Sequence, residues 1–264
     1  MNKNELKSIN AHLESLSPIE ILKWSIDHLP NLYQITSFGL TGCAIIDMIS
    51  KLSHSTLVPL IFIDTLYHFN QTYQTLSDLS EKYHFQLYRF YPNGSNHRKD
   101  FENLLGSKLW ETDEATYDFL TKIEPARRAY EELGVKSIIT GRRRSQGFER
   151  ERIPILEIDE TGLIKLNPLA RWDWNQTLQY IKDENVPYNR LIDLGFKSIG
   201  DFHSTVLPTK DDESKEIVER SGRWSGSRKT ECGLHQDYFK AKMKYEKSQI
   251  ENKFKSRDVL RDEI

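Results

Sequence analysis

Cysteine is scarce in this chain: Cys43 and Cys232 are the only two among 264 residues, and no C-x-x-C occurs. A structural zinc site or a four-cysteine iron–sulfur cluster therefore cannot be built within one chain, and a disulfide framework of the secreted kind is excluded. Long apolar runs are missing as well, so no stretch reads as a bilayer span. The first residues, with Lys3, Glu5 and Lys7, lack the apolar stretch of a signal peptide. A net charge of -2 offers no global attraction to nucleic acid or anionic membrane, so any cationic site has to be local. No repeat of solenoid length is found. These absences lead us to expect a soluble, cytoplasmic protein with neither membrane nor nucleic-acid partners. What the chain does hold is aromatic residues, 5 Trp, 12 Tyr and 12 Phe, and length enough for a sizeable core.

Taken in order, residues 1–15 have weak helical periodicity. Ser17-Pro18-Ile19-Glu20 is a capping box with proline at the first helical position, and it predicts a helix to about His28. Leu32 to Thr36 reads as a buried strand. The loop Ser37-Phe38-Gly39-Leu40-Thr41-Gly42 follows, and then a helix from Cys43 to Lys51. Strand, glycine-bearing loop and helix form an arrangement in which backbone N–H groups can hold a phosphate. A plain strand-to-helix turn has the same pattern, and neither the Walker nor the dinucleotide glycine spacing is present. Val58 to Ile63 is a second apolar strand, ending in Asp64-Thr65, with a helix over 70–82 and a third strand at Phe85 to Phe90. Residues 92–121 show no single period. Pro125 opens a helix that stops at Gly134, and Lys136 to Thr140 is a fourth strand. The β-α-β-α-β order predicts a parallel sheet flanked by helices, an α/β fold. Residues 153–158 and 163–166 suggest a hairpin, and Asp173 caps a helix ending near Pro187.

Two basic segments carry the chemistry. Residues 142–152 hold five arginines at the carboxyl end of the fourth strand. Arginine's planar fork suits phosphate and sulfate oxygens, while a solvated loop or an RNA-backbone contact remains the alternative. Residues 220–235 are rich in glycine and serine, carry Arg220, Arg223, Arg228 and Lys229, and place Cys232 before Gly233-Leu234-His235. Neighbouring cations favour the thiolate; an incidental cysteine on a basic loop is the other reading. His203, in Ser198-Ile199-Gly200-Asp201-Phe202-His203-Ser204-Thr205, is by itself more ordinarily structural than catalytic. Residues 236–264, with eight Lys/Arg and six Asp/Glu, suggest a frayed, solvated helix.

Together SFGLTG (37–42), IDT (63–65), KIEP (122–125), TGRRRSQG (140–147), SIGDFHST (198–205), ERSGRW (219–224) and KTECGLH (229–235) resemble the thioredoxin-dependent phosphoadenylyl-sulfate (PAPS) reductases of the fungal type, over roughly residues 30–236. The resemblance implies an adenine-nucleotide α-hydrolase-like fold with a mobile C-terminal segment. It divides the chain into a nucleotide-binding domain at 1–206, a catalytic segment at 207–236 and a charged tail at 237–264. It further implies reduction of 3′-phosphoadenylyl sulfate to sulfite and adenosine 3′,5′-bisphosphate in sulfate assimilation, by a homodimer that takes electrons from reduced thioredoxin. No bound cofactor, metal or iron–sulfur cluster is implied, because the extra cysteines of the related adenylyl-sulfate reductases are absent. By motif, Cys232 is the nucleophile and passes through S-sulfocysteine. Ser37, Phe38, Gly39, Thr41 and Gly42 form the phosphate loop, with Asp64 and Thr65 at the nucleotide pocket. Lys122, Arg143, Arg144 and Arg150 hold oxyanions, and Arg220, Arg223, Lys229 and His235 arrive with the C-terminal segment. Cys43 receives no role. The competing classes are an ATP-using adenylating enzyme on the same fold and a nucleotide- or RNA-binding module.

Overall fold

The computed structural model describes residues 2–52, 58–208, 219–220, 222–223, 233–235 and 237–262, with backbone alone at 148, 235 and 252–262. Six strands form one sheet in the order β3-β2-β1-β4-β6-β5. They are β1 (Leu32–Ile35), β2 (Leu60–Ile63), β3 (Leu87–Phe90), β4 (Ser137–Ile139), β5 (Leu156–Ile158) and β6 (Ile164–Leu166). All pairings are parallel except β5 with β6, the predicted hairpin. Its turn closes at Gly162, whose φ of 84° lies in the left-handed region that glycine tolerates.

Local signals explain most helix boundaries. In α1 (Lys3–Leu13) Asn2 and Glu5 form a capping box. In α2 (Pro18–His28) Ser17 and Glu20 do the same, with Pro18 in the first turn. Helix α3 (Leu40–Leu52) follows β1 and begins three residues earlier than the periodicity predicts, so only Ser37 to Gly39 are loop. Helix α4 (Asn70–Tyr83) links β2 to β3. Short helices α5 (Arg98–Leu105), α6 (Leu109–Thr112) and α7 (Glu114–Asp118) fill the stretch that showed no single period. A π-helical turn, Phe119–Ile123, then runs without a break into α8 (Glu124–Glu132). Helix α9 (Trp174–Asp183) starts at the Asp173–Gln176 capping box.

Alternation along β2 sends Leu60 and Phe62 to one face of the sheet and Ile61 and Ile63 to the other. The first face packs on α2, α3, α4 and α9, whereas the second packs on Ala126 and Ala129 of α8. The last helix, α10 (Tyr238–Asp262), departs from the solvated helix expected there. Tyr238, Ala241 and Tyr245 dock on Phe119 and Ile123, and the rings of Phe119 and Tyr245 stack at 4.3 Å. The dense charge of this segment hid an apolar stripe at helical spacing. Among the described residues no helix is long and apolar enough to cross a membrane.

Strand β1 sits between β2 and β4, so the chain leaves it in one direction across the sheet and returns in the other. In open α/β sheets the crevice at such a switch point, at the carboxyl ends of the strands, is where ligands bind.

Candidate active site

A cavity of about 220 Å³ opens at that switch point. One wall is the turn after β1. Phe38 has a φ of 58°, which is unusual for a bulky residue. The turn is held from three sides. The Phe38 N–H donates to Thr36 Oγ1 at 2.9 Å, its ring packs edge-on against Phe62 in the core, and the Cys43 thiol donates to its carbonyl at 3.3 Å. Ser37 and Gly39 are left exposed on the cavity side. The first helical bond of α3 runs from Cys43 N–H to the Gly39 carbonyl, so the amides of Leu40, Thr41 and Gly42 form an open helix N-terminus, which favours anions. Gly42 is required sterically: a Cβ there would stand 2.3 Å from Thr36 Oγ1.

The second wall is the loop after β4. Gly141 lets it approach α3, since a Cβ would meet Thr41 Cβ at 3.3 Å. Arg143 is 1% exposed, its Nε donating to Thr41 Oγ1 at 2.9 Å and its Nη2 to Glu219 at 2.6 Å. Burial holds this guanidinium below its ordinary pKa, with Glu219 acting in the opposite sense. Arg150 donates to Gln146 Oε1 at 2.5 Å, and Gln146 in turn donates to Glu219 at 3.1 Å.

The third wall comes from the π-helical turn. Lys122 is buried, with its Nζ 2.8 Å from Asp118 and 3.0 Å from Asp201. Burial disfavours the ammonium, but Asp201 and Asp118 outweigh it and raise the lysine above its ordinary value. Burial likewise opposes the charge of Asp201, yet Lys122, His68, the Thr65 hydroxyl and His203 hold that carboxyl well below the usual carboxylate range.

The fourth wall is Arg220, Arg223 and Leu234. Arg223 lies flat on Gly200, where a Cβ would come within 2.2 Å of the guanidinium, and its backbone bridges to Thr205. Gly233 packs on the Ile123 side chain, where a Cβ would stand at 2.9 Å. Among the described residues, the cations lining it are Lys122, Arg142, Arg143, Arg150, Lys197, Arg220 and Arg223, and the lining carboxylates are Asp201 and Glu219. The cavity is thus strongly cationic in a chain of net charge -2.

Of the residues singled out by motif, Ser37, Phe38, Gly39, Thr41, Gly42, Thr65, Lys122, Arg143, Arg150, Arg220 and Arg223 line this cavity. Two do not. Arg144 turns away to pair with Glu14 of α1 and donates to the Ile153 carbonyl at 2.9 Å. Asp64 is fully buried beneath the strand end, where it accepts from Leu66 N–H, from Tyr73 and from Arg89 Nε. In both cases a nearer partner of opposite charge or a free donor captured the side chain. Lys229 and Cys232 lie outside the described residues, as does the side chain of His235. Asp201, His68, Gln146 and Glu219 line the cavity without having been assigned to it. Asp201 stands in SIGDFHST, the motif in which His203 drew attention. His203 instead stacks on Trp110 at 4.0 Å, behind the wall. Cys43 is fully buried, and burial pushes its thiol up to about 12.

The mostly parallel sheet flanked by helices, with a cationic crevice at its switch point beside an open helix N-terminus, fits the adenine-nucleotide α-hydrolase-like class of α/β proteins. Residues 31–207 match the family described as the phosphoadenosine phosphosulfate reductase domain, and the chain belongs to that family. It is 48% identical over 236 residues to phosphoadenosine phosphosulfate reductase of Emericella nidulans, covering 88% of this chain and 76% of that one. It is 47% identical over 243 residues to the Saccharomyces cerevisiae protein of the same name, covering 89% and 91%. Among solved structures, PAPS reductase from Candida auris in a phosphate complex superposes with a TM-score of 0.73 at 47% identity, over 78% of this chain and 98% of that one.

Proposed function

We propose that the protein reduces 3′-phosphoadenylyl sulfate to sulfite and adenosine 3′,5′-bisphosphate, with reduced thioredoxin as electron donor, in sulfate assimilation. The observation that carries this reading is that Leu234, from the cysteine-bearing motif, lines the cationic cavity. Leu234 stands two residues after Cys232 in the sequence, and Gly233 between them packs on Ile123, the chain neighbour of Lys122. A nucleotide with several anionic groups needs such a concentration of arginines, and apolar Ile35, Trp174, Ile192 and Ile199 on the same cavity suit the face of a purine.

In the first half-reaction the Cys232 thiolate attacks the sulfonate sulfur in line. An S–S bond forms, the S–O bond to the nucleotide phosphate breaks, and adenosine 3′,5′-bisphosphate leaves with the electron pair. The repulsion between a thiolate and a polyanion is the first barrier, and Arg143, Arg150, Arg220 and Arg223 lower it. Lys229 and His235 belong to the same cationic segment. In the second half-reaction a thioredoxin thiolate attacks Cys232 Sγ and expels sulfite. The second thioredoxin thiol then resolves the mixed disulfide and returns Cys232 reduced. Two electrons pass from the dithiol to the sulfur. No iron–sulfur cluster enters, since two cysteines per chain cannot supply four thiolates. The reading includes a cytoplasmic homodimer.

Mixing the reduced protein with 3′-phosphoadenylyl sulfate in the absence of thioredoxin should add the mass of one sulfonate, mapped to the Cys232 peptide. Cys232→Ser should bind adenosine 3′,5′-bisphosphate and release no sulfite. Sulfite release at the normal rate from Cys232→Ser would overturn the scheme. Pyrophosphate release from ATP and magnesium would favour the adenylating class instead.

A further inference from the structure

The cavity is cationic overall, yet its floor holds an acidic cluster. Lys122 is flanked by Asp118 and Asp201, all three are buried, and the trio carries one net negative charge when ionised. Buried charges cost several kcal/mol each unless hydrogen bonds satisfy them, so a floor of this kind has to be held together by its surroundings. Asp201 is held on every side. Its Oδ1 accepts from Thr65 Oγ1 at 2.5 Å, and its Oδ2 accepts from Tyr117 OH at 3.1 Å and lies 3.0 Å from Lys122 Nζ. Its backbone bridges antiparallel to His68, and Phe202 N–H donates to the Tyr67 carbonyl at 2.9 Å. Behind it, His203 Nε2 stands 2.9 Å from the Tyr117 hydroxyl, with the imidazole stacked on Trp110.

An ammonium has three N–H donors. Asp118 and Asp201 take two, the Tyr117 ring centroid lies 4.8 Å from Nζ, and Lys122 and Asp201 both line the cavity. We propose that Asp201 is a positioning residue for the reaction: with Asp118 it fixes the Lys122 ammonium so that its third N–H points at the reacting sulfonate group. This rests on the function proposed above. The arginine wall lies on the β4 side and grips the nucleotide in the ground state. Lys122 lies on the other side, on the π-helical turn, where Gly233, the residue after Cys232 in the sequence, packs on Ile123 and Asp118. A donor on that side meets the oxygens whose charge changes during sulfur transfer, which makes its contribution larger in the transition state than in the bound substrate. Two carboxylates also keep the lysine an ammonium, so it donates hydrogen bonds and does not serve as a base.

The test is a double-mutant cycle on the full-length protein, with sulfite release measured under saturating reduced thioredoxin and adenosine 3′,5′-bisphosphate affinity measured in parallel. Asp201→Asn should lower kcat about tenfold to a hundredfold, less than outright loss of an oxyanion donor. KM and bisphosphate affinity should stay within about twofold, the tolerance for independent sites. Lys122→Gln should lower kcat further, and adding Asp201→Asn to it should cost nothing more, because Asp201 acts through Lys122. Full kcat in Asp201→Asn with only a lower Tm, or losses that multiply in the double variant, would overturn the proposal. Should either substitution prevent folding, Tyr117→Phe removes one hydrogen bond to Asp201, together with the contact to His203 Nε2, and keeps the Lys122 and Thr65 contacts. It should lower kcat by about fivefold, near the value of a single net hydrogen bond, and an unchanged kcat there counts against the idea. A wild-type protein that yields no sulfite from 3′-phosphoadenylyl sulfate removes the function itself, an outcome distinct from these.

Discussion

Glu219 shows how much a single side chain can govern an anion site. Its carboxylate occupies Arg143 and Gln146, the groups that a substrate oxyanion would use, and its second oxygen, Oε2, is buried without a hydrogen-bond partner among the described residues. Substrate therefore competes with an internal carboxylate. Glu219→Gln should tighten adenosine 3′,5′-bisphosphate binding about tenfold, the value of one charge-assisted hydrogen bond, as read by calorimetry. The two thiols differ just as sharply. With its pKa raised by burial to about 12, Cys43 stays a thiol in the folded protein at pH 8, whereas Cys232 lies in a run of cations that favours the thiolate. Iodoacetamide at pH 8 should label the Cys232 peptide and leave Cys43 unlabelled until denaturant is added. The sign for stability follows from the same shift. A thiol that is neutral when folded and ionises near its ordinary 9.0 when unfolded costs stability progressively between pH 9 and 12.

At the scale of elements, the β1–α3 junction combines a constrained glycine and an open one within four residues. Gly42 faces Thr36 Oγ1 at a distance no methyl can share, while a Cβ on Gly39 would meet nothing within 4 Å. Gly42→Ala should destabilise the fold by about 2 kcal/mol through overpacking, visible as a lower Tm. Gly39→Ala should leave Tm unchanged and weaken bisphosphate binding, because its methyl enters the space where the anion meets the helix N-terminus. The capping boxes, the strand runs and the glycine-bearing loop were legible in the sequence because each is written within about four residues. The start of α3 at Leu40 was not, since the residues following Gly39 read equally well as loop. The short helices between residues 98 and 118 were hidden because their aromatic residues, Phe101, Trp110 and Tyr117, pack on Tyr67 and not along a single helical face.

Over the whole molecule, local charge and overall charge have opposite signs. A cationic cavity in a chain of net charge -2 should make the KM for 3′-phosphoadenylyl sulfate rise with salt, since added salt shortens the Debye length, about 8 Å at physiological ionic strength, and screens the attraction. Helix α10 ties the end of the described chain to the turn that carries Lys122, through the Tyr245–Phe119 stack. Tyr245→Ala should cost about 2 kcal/mol in stability and speed amide exchange across residues 119–123.

By itself the sequence determined which residue types this protein brings to its chemistry: an arginine-rich strand end, a glycine-bearing phosphate loop, one cysteine among cations, and the β-α order that makes the sheet parallel. These are short-range properties, set by backbone preference and periodicity. Tertiary structure alone decided which of those charges face the cavity. Arg143 reaches Thr41 across 102 residues of sequence, and Asp201 meets Tyr117 across 84, while Arg144, the immediate neighbour of Arg143, is drawn to Glu14. A charged side chain settles on whichever partner the fold brings within about 3 Å, and that choice depends on distances between strands that no local pattern encodes.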